Sequence, residues 1–242
     1  MPKEDVKRDN AMTIAIIGLI GTLIAALLGS PLLMELVNNE QVTETPPAAI
    51  TVTPGFTDQS LIFREDFDSD NVSGFSYDIG QWIISKDRSN QVLEGDAAAS
   101  SPDTIAMVTF GPSDFSNGII EFRIRINQFA SETAASLRFR YTSQSTYSLS
   151  FSQNQIALGY RDMQNDWILE PFNNEASRTF LFEQGIWYLV RLEARGSQFT
   201  VFIDNNRLFN TSDNRLQKGG LNFSLNPGYQ AMFDDVKVWE LK

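Results

Sequence analysis

No cysteine and no histidine occurs anywhere in the 242 residues. Their absence excludes disulfides, thiolate nucleophiles, zinc centres of the Cys/His kind and any imidazole general base. Whatever chemistry the chain performs must use carboxylates, hydroxyls or amines. Positive charge is also scarce: 19 Lys and Arg stand against 30 Asp and Glu, a net charge of −11. Phosphate contact needs a basic surface, so nucleic acid is not an expected partner. Beyond residue 60 there is no long helical period either.

What is present begins with one long apolar run, "AMTIAIIGLIGTLIAALLGSPLLMELV", residues 11–37, in which the first charge is Glu35. That length crosses a bilayer. Its most apolar part, Ile14 to Leu28, is shorter than a full span, and Gly29-Ser30-Pro31 interrupts it, so a cleaved signal peptide is the main alternative and a buried core helix the other. There is no clear A-x-A cleavage site, and the reading favours an uncleaved signal-anchor helix. Lys3, Lys7 and Arg8 precede the run, and no Lys or Arg follows it until Arg64. The positive-inside rule then predicts a single-pass protein of the cell membrane: residues 1–10 form a cytoplasmic tail, and the C-terminal part is extracytoplasmic. Residues 38–60, rich in Thr and Pro with Pro46-Pro47 and Pro54, read as an extended linker.

From residue 61 the period changes to two. Ile120, Phe122, Ile124 and Ile126 alternate with Glu121, Arg123 and Arg125; Leu137, Phe139 and Tyr141 alternate with Arg138 and Arg140. Tyr147, Leu149 and Phe151 alternate with serines, and "WYLVRLEAR" and "QFTVFID" place Tyr188, Val190, Leu192, Ala194, then Phe199, Val201 and Ile203, on one side. Such segments are half-buried antiparallel strands. Asn154, Gly196, Asp204-Asn205-Asn206, Gly219-Gly220 and Pro227-Gly228 supply turn chemistry between them. Residues 61–242 are therefore expected to form an all-β, two-sheet antiparallel sandwich.

Four segments carry a family resemblance: "FREDFDSDNVSGF", "GQWIISKDRSNQVLEGD", "GIWYLVRLEARGSQFTVFIDNNRLFNTSD" and "GGLNFSLNPGYQAMFDDVKVWEL". In that order they resemble the concanavalin A-like lectin/glucanase superfamily, in particular its laminin-G-like and 3-keto-disaccharide hydrolase-like domains on bacterial surface proteins. The resemblance implies a jelly roll of two sheets, one concave, with first and last strands adjacent. Asn205-Asn206 stands where the family usually has Asn-Gly, and Asn tolerates the positive φ such a turn needs.

Glycosidases need two carboxylates flanking one bond. Family 16 glycoside hydrolases alternate three acids along one strand, whereas the corresponding strand here offers Glu121 followed by Arg123 and Arg125. A lone Glu among cations is poor material for a proton donor. The reading therefore favours a non-catalytic carbohydrate-binding or recognition module; a cell-envelope glycoside hydrolase or 3-keto-disaccharide hydrolase-like enzyme, and a structural spacer in a membrane assembly, are the alternatives.

If the two Arg-bearing strands are neighbours, Arg123, Arg125, Arg138 and Arg140 share one sheet face, where guanidinium forks suit an acidic glycan; the alternative is an ordinary solvated face. Trp167, in "NDWILEP", is the tryptophan best placed for sugar stacking, while Trp82 and Trp187 are expected to be buried. The superfamily resemblance also implies a structural calcium. Its ligands here would come from Glu65, Asp66, Asp96 and one of Asp234 and Asp235, since adjacent strand residues point to opposite faces. The alternative is an acidic turn capped by backbone amides. The spacing Asp66-x-Asp68-x-Asp70 is not an EF-hand loop, and no organic cofactor is expected.

Overall fold

The computed structural model describes residues 59–69, 72–97, 105–130, 135–162, 164 and 170–242. The predicted tail and anchor, and all but the last two residues of the predicted linker, lie outside the described residues. Among the described residues no helix is long and apolar enough to cross a membrane.

Among the described residues, alternating sequence becomes two antiparallel sheets of eight strands each. The first runs β14 (Asn206–Ser212), β13 (Gln198–Ile203), β12 (Trp187–Arg195), β6 (Gly118–Gln128), β16 (Gln230–Leu241), β4 (Asn90–Asp96), β3 (Gln81–Asp87), with β1 (Gln59–Glu65) also paired to β16. The second runs β10 (Glu170–Pro171), β9 (Gln155–Asp162), β8 (Ser145–Ser152), β7 (Ala135–Tyr141), β15 (Gly219–Leu225), β5 (Ala106–Phe115), β2 (Phe75–Ile79), with β11 (Ser177–Thr179) paired to β9. The sandwich thus has the expected class, and β1 is its first described strand.

Phenylalanine fills the space between the sheets. Phe223 of β15 stacks on Phe233 of β16 with ring centroids 4.1 Å apart, and it also meets Phe110 at 4.5 Å and Phe122 at 5.0 Å. All four rings are buried. Each aromatic pair adds about 0.5–1.5 kcal/mol beyond its buried area, so this cluster ties the two sheets at their middle. Trp82 is half-buried at the rim: its indole N–H donates to the Ile79 carbonyl at 3.0 Å, and its ring packs over Gly95, where an added Cβ would lie 2.5 Å from it.

Two departures from regular pairing re-aim side chains. Ile203 pairs with Asn206, leaving Asp204 and Asn205, both at positive φ (49° and 65°), as the two-residue hairpin loop. The positive-φ pair is therefore one position earlier than Asn205-Asn206, and the Asp204 carboxylate helps fix it by accepting from the Leu189 amide at 2.9 Å. On β16, residues 230–233 pair with β4 and residues 236–241 with β1 along the same edge, while β6 runs along the other. The handover falls at Asp234-Asp235, where the register against β6 shifts and Asp235 takes φ 51°. A bulge of this kind bends the strand and turns its side chains out of strict alternation.

Candidate functional site

The arginines do not form one patch. Arg123 and Arg125 lie on β6 of the first sheet, and Arg138 and Arg140 on β7 of the second, because these consecutive strands belong to different sheets. Nor does Arg140 share a face with Arg138. It sits at φ 49°, where the register of β15 against β7 slips, and its guanidinium is turned into the protein, 1% exposed. There it donates to the carbonyls of Ser116 (2.6 Å), Gly196 (2.7 Å) and Leu216 (2.7 Å) and lies over the Phe199 ring. Arg140 is a structural clamp between turns. Arg138 is buried on the outer face of its sheet, and Trp167 lies outside the described residues.

Arg123 and Arg125 do enter a site. Trp187 stands opposite Arg125 in the β12–β6 ladder, so the indole is on the outer face of the first sheet and only half-buried, contrary to its expected burial. Both guanidiniums lie over its ring, at 5.0 and 5.1 Å from the centroid. Asp87 closes the group: its Oδ2 accepts from the Trp187 Nε1–H at 2.9 Å and from Arg125 Nη1 at 2.8 Å. Those two hydrogen bonds, Trp187's first, hold the Asp87 carboxyl below the usual carboxylate range against the opposing effect of burial.

Asp87, Arg123 and Trp187 form one wall of a cavity of about 410 Å³, with Arg125 behind it. The β3–β4 hairpin supplies Asp87, Arg88, Ser89 and Asn90, the segment after β1 supplies Asp66 and Asp68, and the β16 bulge supplies Asp234 and Asp235. Both aspartates face the same side, within 3.8 and 3.9 Å of Arg123 Nη1. The expectation that adjacent residues must point apart fails at this point because the bulge breaks the strict alternation of a flat strand. Asp234 is buried, which pushes its carboxyl up, while it accepts from the Asp235 amide at 2.7 Å and from Asn90 Nδ2 at 2.8 Å.

Of the five candidate calcium ligands, Asp66, Asp234 and Asp235 line this cavity and Glu65 and Asp96 do not. Among the described residues no three acidic side chains stand close enough to hold a metal ion. Glu65 instead accepts from the backbone amides of Phe67 (2.9 Å) and Ser73 (3.2 Å), Asp66 pairs with Arg64, and Asp96 accepts from Gln230. Glu65 thus belongs to an acidic turn capped by backbone amides, the alternative to calcium. Glu121 lies between Arg191 and Lys237 in the neighbouring ladders, with no second carboxylate opposite it.

Asp87, Arg88 and Asn90 were not among the sequence-predicted site residues. Their signal was the polar stretch "KDRSNQ", which the two-residue loop Arg88-Ser89 folds so that Asp87 and Asn90 face each other. With five aspartates against two arginines on its wall, the cavity suits a neutral, hydroxyl-rich ligand and disfavours an anionic one.

No family model and no curated protein matches the sequence. Solved structures do resemble it in fold. A carbohydrate binding module, CBM66 from Bacillus subtilis, aligns with TM-score 0.50 and 16% identity over 69% of this chain and 95% of its own. A protein of unknown function with a galectin-like fold, also from Bacillus subtilis, aligns with TM-score 0.56 and 13% identity over 76% and 99%. The laminarinase catalytic domain of Thermotoga maritima aligns with TM-score 0.53 and 11% identity over 76% and 99%. At these identities the likeness establishes the β-sandwich fold, which hosts binding modules and hydrolases alike.

Proposed function

We propose that this protein is a non-catalytic carbohydrate-binding module whose ligand is a neutral glycan held in the cavity over Trp187. The observation that carries the reading is the composition of that wall: an indole, guanidiniums, an amide and carboxylates converge on one polar cavity. Asp and Asn accept from and donate to sugar hydroxyls, and an aromatic ring meets the apolar face of a pyranose. The similarity in fold to a carbohydrate binding module supports it. Catalysis is the weaker reading. Asp87 is committed to Trp187 and Arg125, which hold its carboxyl below the usual range, so it is not placed as a proton donor for glycosidic cleavage.

The test is a glycan array probed with the full chain, followed by calorimetric titration of neutral hits, laminarin included. Trp187→Ala is expected to weaken a neutral hit at least tenfold while the circular dichroism spectrum is unchanged. Absence of any neutral glycan ligand, or turnover of one, overturns the reading. We further propose that residues 11–37 anchor the module in the cell membrane with the sandwich outside, supported by the apolar run and the flanking Lys3, Lys7 and Arg8. Protease shaving of intact cells should remove the sandwich; resistance before lysis and loss after it would overturn this orientation.

A further inference from the structure

The outermost strands of a sheet present a row of backbone amides and carbonyls that invites another strand unless something blunts it. Most of the edges here are blunted. On the first sheet, the ladder of β14 with β13 shifts register at Val201/Phe202, and that of β1 with β16 shifts between Leu61 and Phe63. On the second, β2 has five residues and a shift between Tyr77 and Ile79, β10 has two residues and contains Pro171, and β11 has three. Bulges, shortness and proline all discourage pairing at an edge.

β3 has none of these. Its seven residues pair with β4 from Gln81–Asp96 to Asp87–Asn90 without a shift, no proline interrupts them, and among the described residues no strand pairs with its other side. Ile83, at its middle, stands opposite Glu94 in the row that continues through Met232 and Arg125 to Trp187 on the outer face, and it is 59% exposed. Only Gly80 separates β3 from β2, the last strand of the second sheet, so the open edges of both sheets lie on one side of the sandwich. Tyr77 and Ile79 of β2 are exposed as well.

Charge and sequence constrain what covers this edge. At a net charge of −11 two copies of the chain repel each other, so self-association needs a contact free of charge. The stretch Gln81-Trp82-Ile83-Ile84-Ser85 carries none, and its pattern is the same in both directions: polar, three apolar, polar. Laid antiparallel on a second copy about a two-fold axis through Ile83, it sets Ile83 against Ile83, Trp82 against Ile84 and Gln81 against Ser85. Lys86 and Asp87 of each copy fall beyond the stretch, at opposite ends of the pair. A two-fold contact of this kind requires a self-complementary patch, and β3 is one.

We propose that β3 is a dimerisation edge, pairing antiparallel with β3 of a second copy so that the two first sheets become one continuous sheet. The new ladder uses the open backbone groups, and the Ile83–Ile83 and Trp82–Ile84 pairs remove apolar surface from water. Asp87 lies four residues beyond the axis and lines the cavity, so the two cavities open on the same face with their Asp87 residues about 27 Å apart along the strands. A dimer of this form presents two sites to one extended ligand. The interface does not depend on what the cavity binds.

The chain contains no cysteine, so a single introduced one reports this geometry without background. Residues directly opposite in an antiparallel pair have Cα atoms about 4.5–5.5 Å apart, a separation that a disulfide spans. In the full chain solubilised in detergent, Ile83→Cys is expected to form a disulfide-linked dimer under mild oxidation about tenfold faster, or more, than Leu181→Cys, a comparably exposed position outside β3. The parent is expected to sediment as a dimer and Ile83→Lys, shown to be folded by thermal melting, as a monomer. Should Ile83→Lys fail to fold, the cross-linking comparison decides alone. A monomeric parent, a dimer undiminished in folded Ile83→Lys, as association through residues 11–37 would give, or cross-linking of Ile83→Cys no faster than that of Leu181→Cys overturns the proposal.

Discussion

The indole nitrogen of Trp187 is 2.9 Å from a carboxylate oxygen of Asp87, a contact between residues one hundred positions apart. It joins an inner strand of the first sheet to the hairpin at that sheet's edge, and it makes the orientation of the Trp187 ring a property of the fold rather than of ligand. A pre-set aromatic wall lowers the ordering cost of binding.

That contact has a pH signature, and Asp234 has the opposite one. The Asp87 carboxyl sits below its ordinary value because of Trp187 and Arg125, so the stability it contributes is present above the unfolded value of about 3.9 and is lost as pH falls through the lower folded value. The Asp234 carboxyl is raised by burial, so its contribution is present below about pH 3.9 and is lost as pH rises through the folded value. Melting temperatures taken from about pH 3 to 6 should show the deficit of Asp87→Asn, relative to the parent, growing with pH. The deficit of Asp234→Asn should shrink with pH. Parallel curves for the two variants would refute the assignment.

Arg140 should be structurally indispensable. Truncation to Ala leaves the Ser116, Gly196 and Leu216 carbonyls without their donor, and the expected loss is about 3 kcal/mol or more by urea denaturation. Arg140→Lys should recover only part of it, because one ammonium cannot span three carbonyls that a planar fork reaches. Full recovery by Lys would show that charge, not geometry, is what the site requires.

Phe223 is the hub of the inter-sheet aromatic cluster. Phe223→Ala is expected to cost about 3–5 kcal/mol. In a domain of this size that lowers the melting temperature by roughly 10 °C. A shift under a third of that would mean the cluster repacks around the cavity.

The Asp204-Asn205 hairpin predicts a local effect. Asn205→Val places a β-branched residue at positive φ and should destabilise by about 1–2 kcal/mol, while Asn206→Val, outside the positive-φ pair, should cost less. Equal losses would return the turn to the Asn205-Asn206 register.

The strands were legible because their signal is local: Ile120, Phe122, Ile124 and Ile126 face inward as their spacing requires, all buried. Even Trp187 was legible in principle, since Tyr188, Val190 and Leu192 on the inner side leave it on the outer one. Which strands neighbour one another is not a local property, so nothing in the spacing of Arg123 and Arg138 could show that they stand on different sheets. The two remaining misplacements share a cause. Arg140 and Asp235 each take a positive φ where a ladder slips, and a bulge of that kind inverts the side-chain sense that a period of two assumes. The cavity combines residues from five separate strands and their connections, so only the pairing of those strands reveals it.

Gln59, which opens β1, pairs directly with Leu241, the last residue of β16. Where the polypeptide enters the sandwich it also leaves it, a few ångströms away across one antiparallel ladder. The domain is in effect a loop of chain lacking one short link. Joined there with a few residues and reopened between Asp204 and Asn205, the same strands would meet the same neighbours in a new order of synthesis, with that hairpin connection the sole one surrendered.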